Sequence, residues 1–273
     1  MSAQPSDYTT AQLLDLFDQY CAAGSMSPGT RSLRRNYLRR FTSQYDPMTC
    51  TPQDIAAWLT ASPSWKASTR ASARSALTSF FSWARKMGHR IDDPAADTHS
   101  IKVGQSPPKP CPESVLADAL AKADERSRRA ILLGAYAGLR RAEIAGMHAD
   151  HIDLEAMTLR IRGKGDKTRL VPIAEALIDE LTAAKAKGGY LFPNQFGNPV
   201  TPTTIGRLVS PLLGEGHSTH ALRHRFATKV FSGSRNLRAT QELLGHSSIA
   251  TTQRYTQVSD EERREAVAVL AAI

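Results

Sequence analysis

The chain has 273 residues, and 41% of them are hydrophobic, so it can bury a core in each of two ordinary domains. This composition argues against a disordered or fibrous protein. The 35 Lys and Arg residues outnumber the 26 Asp and Glu residues, which gives a net charge of +9 and favours a polyanionic partner such as nucleic acid. Charge alone does not separate nucleic acid from an anionic membrane surface. The apolar stretch 130–139 is far too short to cross a bilayer.

Targeting and redox signals are absent from the sequence. The N-terminus MSAQPSDYTT lacks a basic leader and an apolar core, so we expect a cytoplasmic protein. The cysteines are odd in number, widely spaced and not arranged as CxxC pairs. We therefore expect reduced thiols and no metal site at Cys21, Cys50 and Cys111.

The N-terminal region has the periodicity of a helical bundle. In its second helix Leu33, Tyr37 and Phe41 recur every four residues, which predicts that this side packs inward while arginines occupy the other faces. We predict a helical domain over 1–95, with helices near 8–20, 28–43, 52–60 and 67–88. A proline-rich stretch without helical periodicity follows, and we predict that 96–112 is an interdomain linker.

The region 113–273 mixes helices with strand signals. Residues 157–163 alternate apolar and polar side chains, and a Gly-Lys-Gly-Asp turn leads into a second run, TRLVPI, so we predict a β-hairpin. Helices are predicted near 113–123, 126–137, 140–147, 174–186, 202–212, 219–232, 237–245 and 247–254. The fold class is therefore mainly α, with an N-terminal helical domain and a C-terminal α+β domain around a small antiparallel sheet.

Four separated segments of the C-terminal half carry polar residues in a distinctive order. They are AYAGLRRAEIAGM, RGKGDKTRLVPI, HALRHRFAT and ELLGHSSIATTQRYT. Each is weak alone, but together, over roughly residues 110–260, they resemble the motif set of the tyrosine recombinase (phage integrase) family, in its Xer-like two-domain form. The resemblance implies an N-terminal core-binding domain and a catalytic domain that cuts and rejoins DNA.

The resemblance makes Arg140 and Arg223 the two arginines that hold the scissile phosphate. A guanidinium suits this role because its planar fork of donors binds two phosphate oxygens and stays charged at any working pH. Glu143, about one turn after Arg140, is expected to orient it. If Arg140 is considered by itself, the alternative to a catalytic role is an ordinary surface arginine near the start of a helix.

The turn lysine of the hairpin, Lys164, aligns with the family's general acid, which protonates the departing 5′ oxygen. Glycines at 163 and 165 permit a tight turn close to DNA. Lys167 and Arg169 are the nearest alternatives for the proton donor. The alternative without a function is that Lys164 is an ordinary lysine exposed to solvent at the hairpin turn.

The remaining catalytic positions come from the last two segments. The resemblance implies that His220 accepts the tyrosine proton or positions the phosphate, that His246 donates to a phosphate oxygen, and that Tyr255 is the nucleophile. A capping role is the alternative for His220, and His224 is expected to be a buried core histidine. A phenol suits the nucleophile because it ionises more readily than a serine hydroxyl, and its phosphodiester conserves the energy of the broken bond.

Basic residues outside this set are candidates for DNA contacts. We nominate those on the exposed faces of the N-terminal helices and beside the hairpin turn, namely Arg31, Arg34, Arg35, Arg70, Arg74, Lys167 and Arg169. A solvated charged face explains any one of them about equally well.

The resemblance also implies partners. We expect double-stranded DNA, a tetramer of this chain on two DNA sites, association with the nucleoid, and neither metal nor cofactor; a directionality factor is left open. The helical bundle starts almost at once, so an arm-binding domain, as in larger phage integrases, is not expected. We expect Ser259 and Glu262 to form a capping box for a short tail helix. We expect this helix to dock on a neighbouring protomer, with packing on its own domain as the alternative.

Two other functions share parts of these features. A type IB topoisomerase uses the same tyrosine chemistry, although the hairpin spacing and the LGHSS segment are more similar to recombinases. A DNA-binding regulator without catalysis is the second alternative. Covalent attachment to DNA and strand exchange separate the three.

Overall fold

A computed structural model describes residues 8–104, 107–163 and 168–245 of the chain. Its internal contacts divide the chain into two compact units, Met1–Ser106 and Pro107–Ile273. The division falls inside the stretch 96–112 that the sequence marks as a linker. No helix in the described part of the chain has the length and apolar character needed to span a membrane.

The first unit is a helical bundle whose core is rich in aromatic side chains. Thr9 and Thr51 each form a capping box at the start of a helix. The threonine hydroxyl accepts the backbone N–H of the residue three positions later, and the side chain of that residue accepts the backbone N–H of the threonine. The longest helix packs against the other three and buries Leu77, Phe80 and Phe81. The helices are α1 (Thr10–Ala23), α2 (Pro28–Thr42), α3 (Pro52–Thr60) and α4 (Ala67–Lys86).

The predicted inner face of α2 is correct at two of its three positions. Tyr37 and Phe41 are buried, but Leu33 is 47% exposed, so its predicted inward packing is wrong. The reason is geometric: a spacing of four residues overshoots one helical turn, and over two such steps Leu33 rotates away from Phe41. Arg34 lies closer to the packed side and donates to Ser79 Oγ on α4 at 2.8 Å.

The second unit packs helices around a small sheet. Helix α6 is buried almost all round, as its apolar run 130–135 dictates, and it packs against α7, α9 and α10. The helices are α5 (Glu113–Lys122), α6 (Glu125–Tyr136), α7 (Arg141–Ala145), α8 (Ile178–Lys187), α9 (Pro202–Leu213), α10 (Thr219–Ser234) and α11 (Leu237–Leu244).

The sheet confirms the predicted hairpin and adds a strand. Strands β2 (Thr158–Arg162) and β3 (Thr168–Pro172) pair antiparallel, with Leu159 opposite Val171 and Arg162 opposite Thr168. A two-residue strand, β1 (Ile152–Asp153), pairs antiparallel with β2 and was not predicted, because two residues are too few to show a period. The helix predicted at 247–254 and the tail helix lie outside the described residues.

Candidate active site

Gly138 sets the turn that presents Arg140 at the start of α7. It has φ of +65°, and a Cβ at this position would lie 2.5 Å from Phe226 Cδ1 on α10. Two features therefore require glycine at this position: the backbone conformation and the close approach of an aromatic ring. The carbonyl of Gly138 also accepts a hydrogen bond from Arg223 Nη1 at 2.6 Å.

Replacing Gly138 with alanine is expected to destabilise the protein by roughly 2–5 kcal/mol, since a left-handed alanine costs about 1–2 kcal/mol and an overpacked ring about 1–3 kcal/mol. Gly197→Ala is the control, because Gly197 also has positive φ but a Cβ there would meet no atom within 4 Å. The control is expected to lose about 1–2 kcal/mol. Urea-induced unfolding measures both, and equal losses would contradict the importance of the Phe226 contact.

Glu143 brings the two predicted phosphate-binding arginines together. Its carboxylate accepts hydrogen bonds from the backbone N–H and the Nη1 of Arg140, both at 2.9 Å. Arg223 Nη1 lies 3.8 Å from the same carboxylate. Residues far apart in the sequence thus meet at one buried acid; that Glu143 orients Arg140 for catalysis stays a prediction.

Arg140 and Arg223 differ in their exposure to solvent. The Arg140 side chain is 40% exposed, whereas that of Arg223 is 1% exposed. Arg223 comes from the buried face of α10, where Nη1 donates to the carbonyl of Gly138 and Nη2 to that of Leu244 at the end of α11. A buried guanidinium needs such acceptors, because an unpaired buried charge is strongly unfavourable.

Arg169 is also part of this cluster. Its Nη1 and Nη2 donate to the two oxygens of Glu143 at 3.0 and 2.9 Å, and its Nε donates to the carbonyl of Leu243 at 2.8 Å. The period of a strand could have located it, since Arg169 shares a face of β3 with the buried Val171, while Leu170 on the other face is 62% exposed. Its nomination as a DNA contact stays a prediction.

The carboxyl group of Glu143 is held in its ionised form. Burial alone would raise its pKa, but the hydrogen bonds and charge of Arg169, the backbone N–H of Arg140 and the charge of Arg223 outweigh burial. The net result is a pKa below the ordinary value. Around this one negative charge the cluster gathers three guanidinium groups, so it carries net positive charge.

His220 lies exposed in the first turn of α10, one turn before Arg223. The capping alternative for His220 is wrong, because Ser218 caps the helix and accepts from the His220 backbone N–H at 3.2 Å. The ring of His224 lies 4.2 Å from that of His220, centroid to centroid, and is only half-buried. The expected fully buried core histidine is therefore not found at position 224.

Four of the predicted functional residues lie outside the described residues: Lys164, Lys167, His246 and Tyr255. Their flanking elements are described. The hairpin strands lead into and out of 164–167 at Gly163 and Thr168. Helix α11 ends at Leu244 with the carbonyls of Leu243 and Leu244 bound by Arg169 and Arg223, so the chain leaves the arginine cluster two residues before His246.

Two of the arginines nominated as DNA contacts in the first unit pair with acidic residues of α1. Arg31 forms a two-pronged ion pair with Asp18, Arg35 pairs with Asp15, and both pairs join α2 to α1. The Arg31 hydrogen bond, together with the positive charges of Arg31 and Arg35, lowers the pKa of Asp18 against the opposing effect of burial.

Two further nominated arginines lie on α4. Arg74 Nε donates to the Thr98 carbonyl at 3.1 Å. Arg70 Nε is buried and has no hydrogen-bond partner among the described residues. DNA contacts at all five N-terminal positions stay a prediction.

The chain is similar to known proteins over both of its units. The phage integrase family matches residues 113–262, and the phage integrase N-terminal SAM-like domain matches residues 14–88. A tyrosine recombinase XerC from Corynebacterium efficiens is 31% identical, over 95% of this chain and 92% of the relative. Another from Mycobacterium sp. (strain JLS) is 33% identical, over 90% of this chain and 94% of the relative.

Solved structures show the same fold. The integrase from mycobacterium phage Brujita is 29% identical, with 93% of this chain and 91% of that chain covered and a TM-score of 0.50. A lambda integrase dimer bound to a COC′ core site superposes with a TM-score of 0.73 at 19% identity, over 89% of this chain and 97% of that chain. At that identity the likeness is one of fold alone.

The chain belongs to the phage integrase family. Within it the chain is a tyrosine recombinase, and its function is site-specific recombination. The prediction of the family from four dispersed segments is confirmed, as is the mainly α fold class with its small antiparallel sheet.

Proposed function

We propose that this recombinase cleaves and rejoins DNA through a covalent phosphotyrosine. The Tyr255 oxygen attacks the scissile phosphorus, the bond to the 5′ oxygen breaks, and a 3′-phosphotyrosyl end and a free 5′ hydroxyl result. That hydroxyl then attacks the corresponding linkage on a partner duplex and releases the tyrosine. Rejoining requires no ATP, because the phosphotyrosyl bond retains the energy of the backbone bond.

The observation that supports this proposal is the meeting of Arg140 and Arg223 at Glu143. A pentacoordinate phosphate carries more negative charge than its ground state, and preorganised donors aimed at that charge lower the barrier. Arg140, with 40% of its side chain exposed, is the guanidinium open to a phosphate. Arg223 adds its positive charge from a buried position 3.8 Å from Glu143.

The other roles follow the family motifs. Lys164 delivers the proton to the departing 5′ oxygen, His220 accepts the tyrosine proton or positions the phosphate, and His246 donates to a phosphate oxygen. The reaction as proposed uses no metal or cofactor, since positive side chains carry out the charge stabilisation. Lys167 remains a candidate DNA contact next to the hairpin turn.

Double-stranded DNA is the proposed substrate, and two solved relatives of the same fold are described as bound to DNA. One is the lambda integrase dimer on a COC′ core site, and the other is the XerH recombinase on its difH substrate. We propose further that four protomers assemble on two DNA sites, that a directionality factor is a candidate partner, and that the enzyme acts at the nucleoid in the cytoplasm.

The decisive experiment offers the wild-type protein a nicked suicide DNA that carries a candidate recombination site. A covalent adduct on a denaturing gel, with the DNA attached to the peptide that contains Tyr255, is the expected result. Recombination between two intact sites is expected in parallel. Relaxation of supercoils without strand exchange would indicate a topoisomerase, and DNA binding without an adduct would indicate a regulator.

A further inference from the structure

Arg169 occupies a position that DNA binding does not explain. Its side chain is 11% exposed, and each of its three guanidinium nitrogens donates to an acceptor of the protein. Two of these hydrogen bonds form a bidentate pair with Glu143, the geometry in which a guanidinium binds a carboxylate most strongly. The third reaches the carbonyl of Leu243 on a different element.

The Glu143 carboxylate is saturated only when Arg169 is present. It accepts two hydrogen bonds from Arg140 and two from Arg169, all between 2.9 and 3.0 Å. An ionised carboxylate has about four acceptor sites, so Arg169 fills half of them. With a side chain only 5% exposed, Glu143 has little access to water as a substitute.

Arg169 also contacts the C-terminal end of α11. Its Nε binds the carbonyl of Leu243, and the next residue but one, Gly245, adopts φ of +62° as the helix cap. A Cβ on Gly245 would lie 3.0 Å from Arg169 Cδ and 3.1 Å from its Nη1. Three hydrogen bonds hold the guanidinium in place, so a Cβ at position 245 would press on it at distances tighter than ordinary van der Waals contact, and glycine avoids this pressure.

We propose that Arg169 is a positioning residue of the recombination site, which fixes Glu143 and thereby Arg140, and fixes the end of α11 from which the chain continues to His246. This inference rests on the proposed function. It assigns Arg169 to the catalytic step and not to the binding of DNA phosphate.

The assignment has a consequence for the dependence of activity on pH. In the described structure Arg140, Arg169 and Arg223 lie against Glu143, and Glu143 lines a pocket together with other titratable or charged residues, among them His148, Asp150, His151 and Arg162. Without Arg169, the effect of burial is less opposed, so the pKa of Glu143 rises. As pH falls through that raised pKa, the carboxylate protonates and loses its ionic hold on Arg140. Cleavage by the variant therefore declines at a higher pH than cleavage by the wild type.

The test compares Arg169→Gln with Arg160→Gln, which removes an exposed arginine from the neighbouring strand. Single-turnover cleavage of nicked DNA at saturating protein is expected to fall roughly 100-fold in Arg169→Gln, as a small misplacement of catalytic groups can cause. The control is expected to remain within about twofold of wild type. The acidic limb of the rate profile should move to higher pH only in Arg169→Gln.

Salt dependence of DNA binding separates positioning from phosphate contact. Losing one phosphate contact reduces the slope of log affinity against log salt by about one, whereas the positioning role leaves the slope of Arg169→Gln unchanged. A reduced slope with a wild-type cleavage rate would overturn the proposal. Gly245→Ala, which displaces Arg169 without removing it, should lower the saturated cleavage rate at an unchanged slope; a wild-type rate in this variant also counts against the proposal.

One measurement does not depend on DNA chemistry. Titration of the Glu143 carboxyl carbon by NMR is expected to show a higher pKa in Arg169→Gln than in wild type, and Arg160→Gln should match wild type. An unchanged Glu143 pKa overturns the positioning role. If wild type and Arg160→Gln form no adduct, the proposed function fails, and this titration still decides whether Arg169 holds Glu143.

Discussion

Tyr255→Phe is expected to bind recombination-site DNA as tightly as wild type and to form no covalent adduct with it. The substitution keeps the ring and removes only the nucleophilic oxygen, so binding contacts persist while the first bond cannot form. Removal of a nucleophile from a cooperating catalytic set costs on the order of 10⁴-fold or more, which puts the adduct below detection. A denaturing gel of nicked DNA after incubation with the variant measures this.

The matched control removes a hydroxyl from another tyrosine of the catalytic unit. Tyr190 is half-buried, and its ring lies 4.9 Å from that of His148, centroid to centroid. Tyr190→Phe is expected to form the adduct at the wild-type rate. An adduct of normal yield with Tyr255→Phe would assign the nucleophile to a different residue and refute the proposed chemistry at position 255.

The elements of this fold were largely predictable because local patterns encode them. The spacing of apolar residues in α2 and the alternation of apolar and polar side chains in β2 each follow from a few neighbouring residues, and the observed bounds of both elements lie within a few residues of those predicted. Leu33 shows the limit of such patterns. A single apolar residue at the border of a helical face is buried only if a neighbouring element covers it, and the sequence of α2 does not specify that element.

The sequence predicted which residues belong to the candidate site, but not the hydrogen bonds and ion pairs among them. Arg140, Arg223 and Glu143 were named from motifs, yet the meeting of the two arginines at the Glu143 carboxylate depends on α7 and α10 both packing against α6 and α9. Arg169 was named as a DNA contact and as an alternative proton donor beside the hairpin turn. The alternation of β3 places it on the buried face, but its two acceptors, Glu143 and the carbonyl of Leu243, are distant in the sequence, and no local pattern identifies them.

A second large effect is expected when Arg223 is replaced by lysine. The side chain is 1% exposed, and its two terminal nitrogens reach the carbonyls of Gly138 and Leu244 on different elements. An ammonium keeps the charge but cannot span both acceptors with the planar fork of a guanidinium. The turn before Arg140 and the end of α11 are then no longer joined by hydrogen bonds to one guanidinium. The phosphate also loses a preorganised positive charge.

Single-turnover cleavage of nicked DNA by Arg223→Lys is expected to fall roughly 10²- to 10³-fold, the cost of removing one preorganised stabilising group from a transition state. Measurement at saturating protein excludes an effect on DNA affinity. Part of any loss could come from reduced stability, since Arg223 is also buried. A second arginine of α10 provides the means to separate the two effects.

Arg225→Lys is that control, because Arg225 is comparably buried on the same helix but pairs with Glu113, donates to the Ala135 carbonyl and stacks on Tyr136. Both variants should lower the melting temperature, since each loses a hydrogen bond of a buried guanidinium. Only Arg223→Lys should lose cleavage when both are assayed well below their melting temperatures. Equal losses of cleavage would mean that Arg223 serves the stability of α10 alone, because the charge of Arg225 is directed to Glu113 and not to the cluster at Glu143.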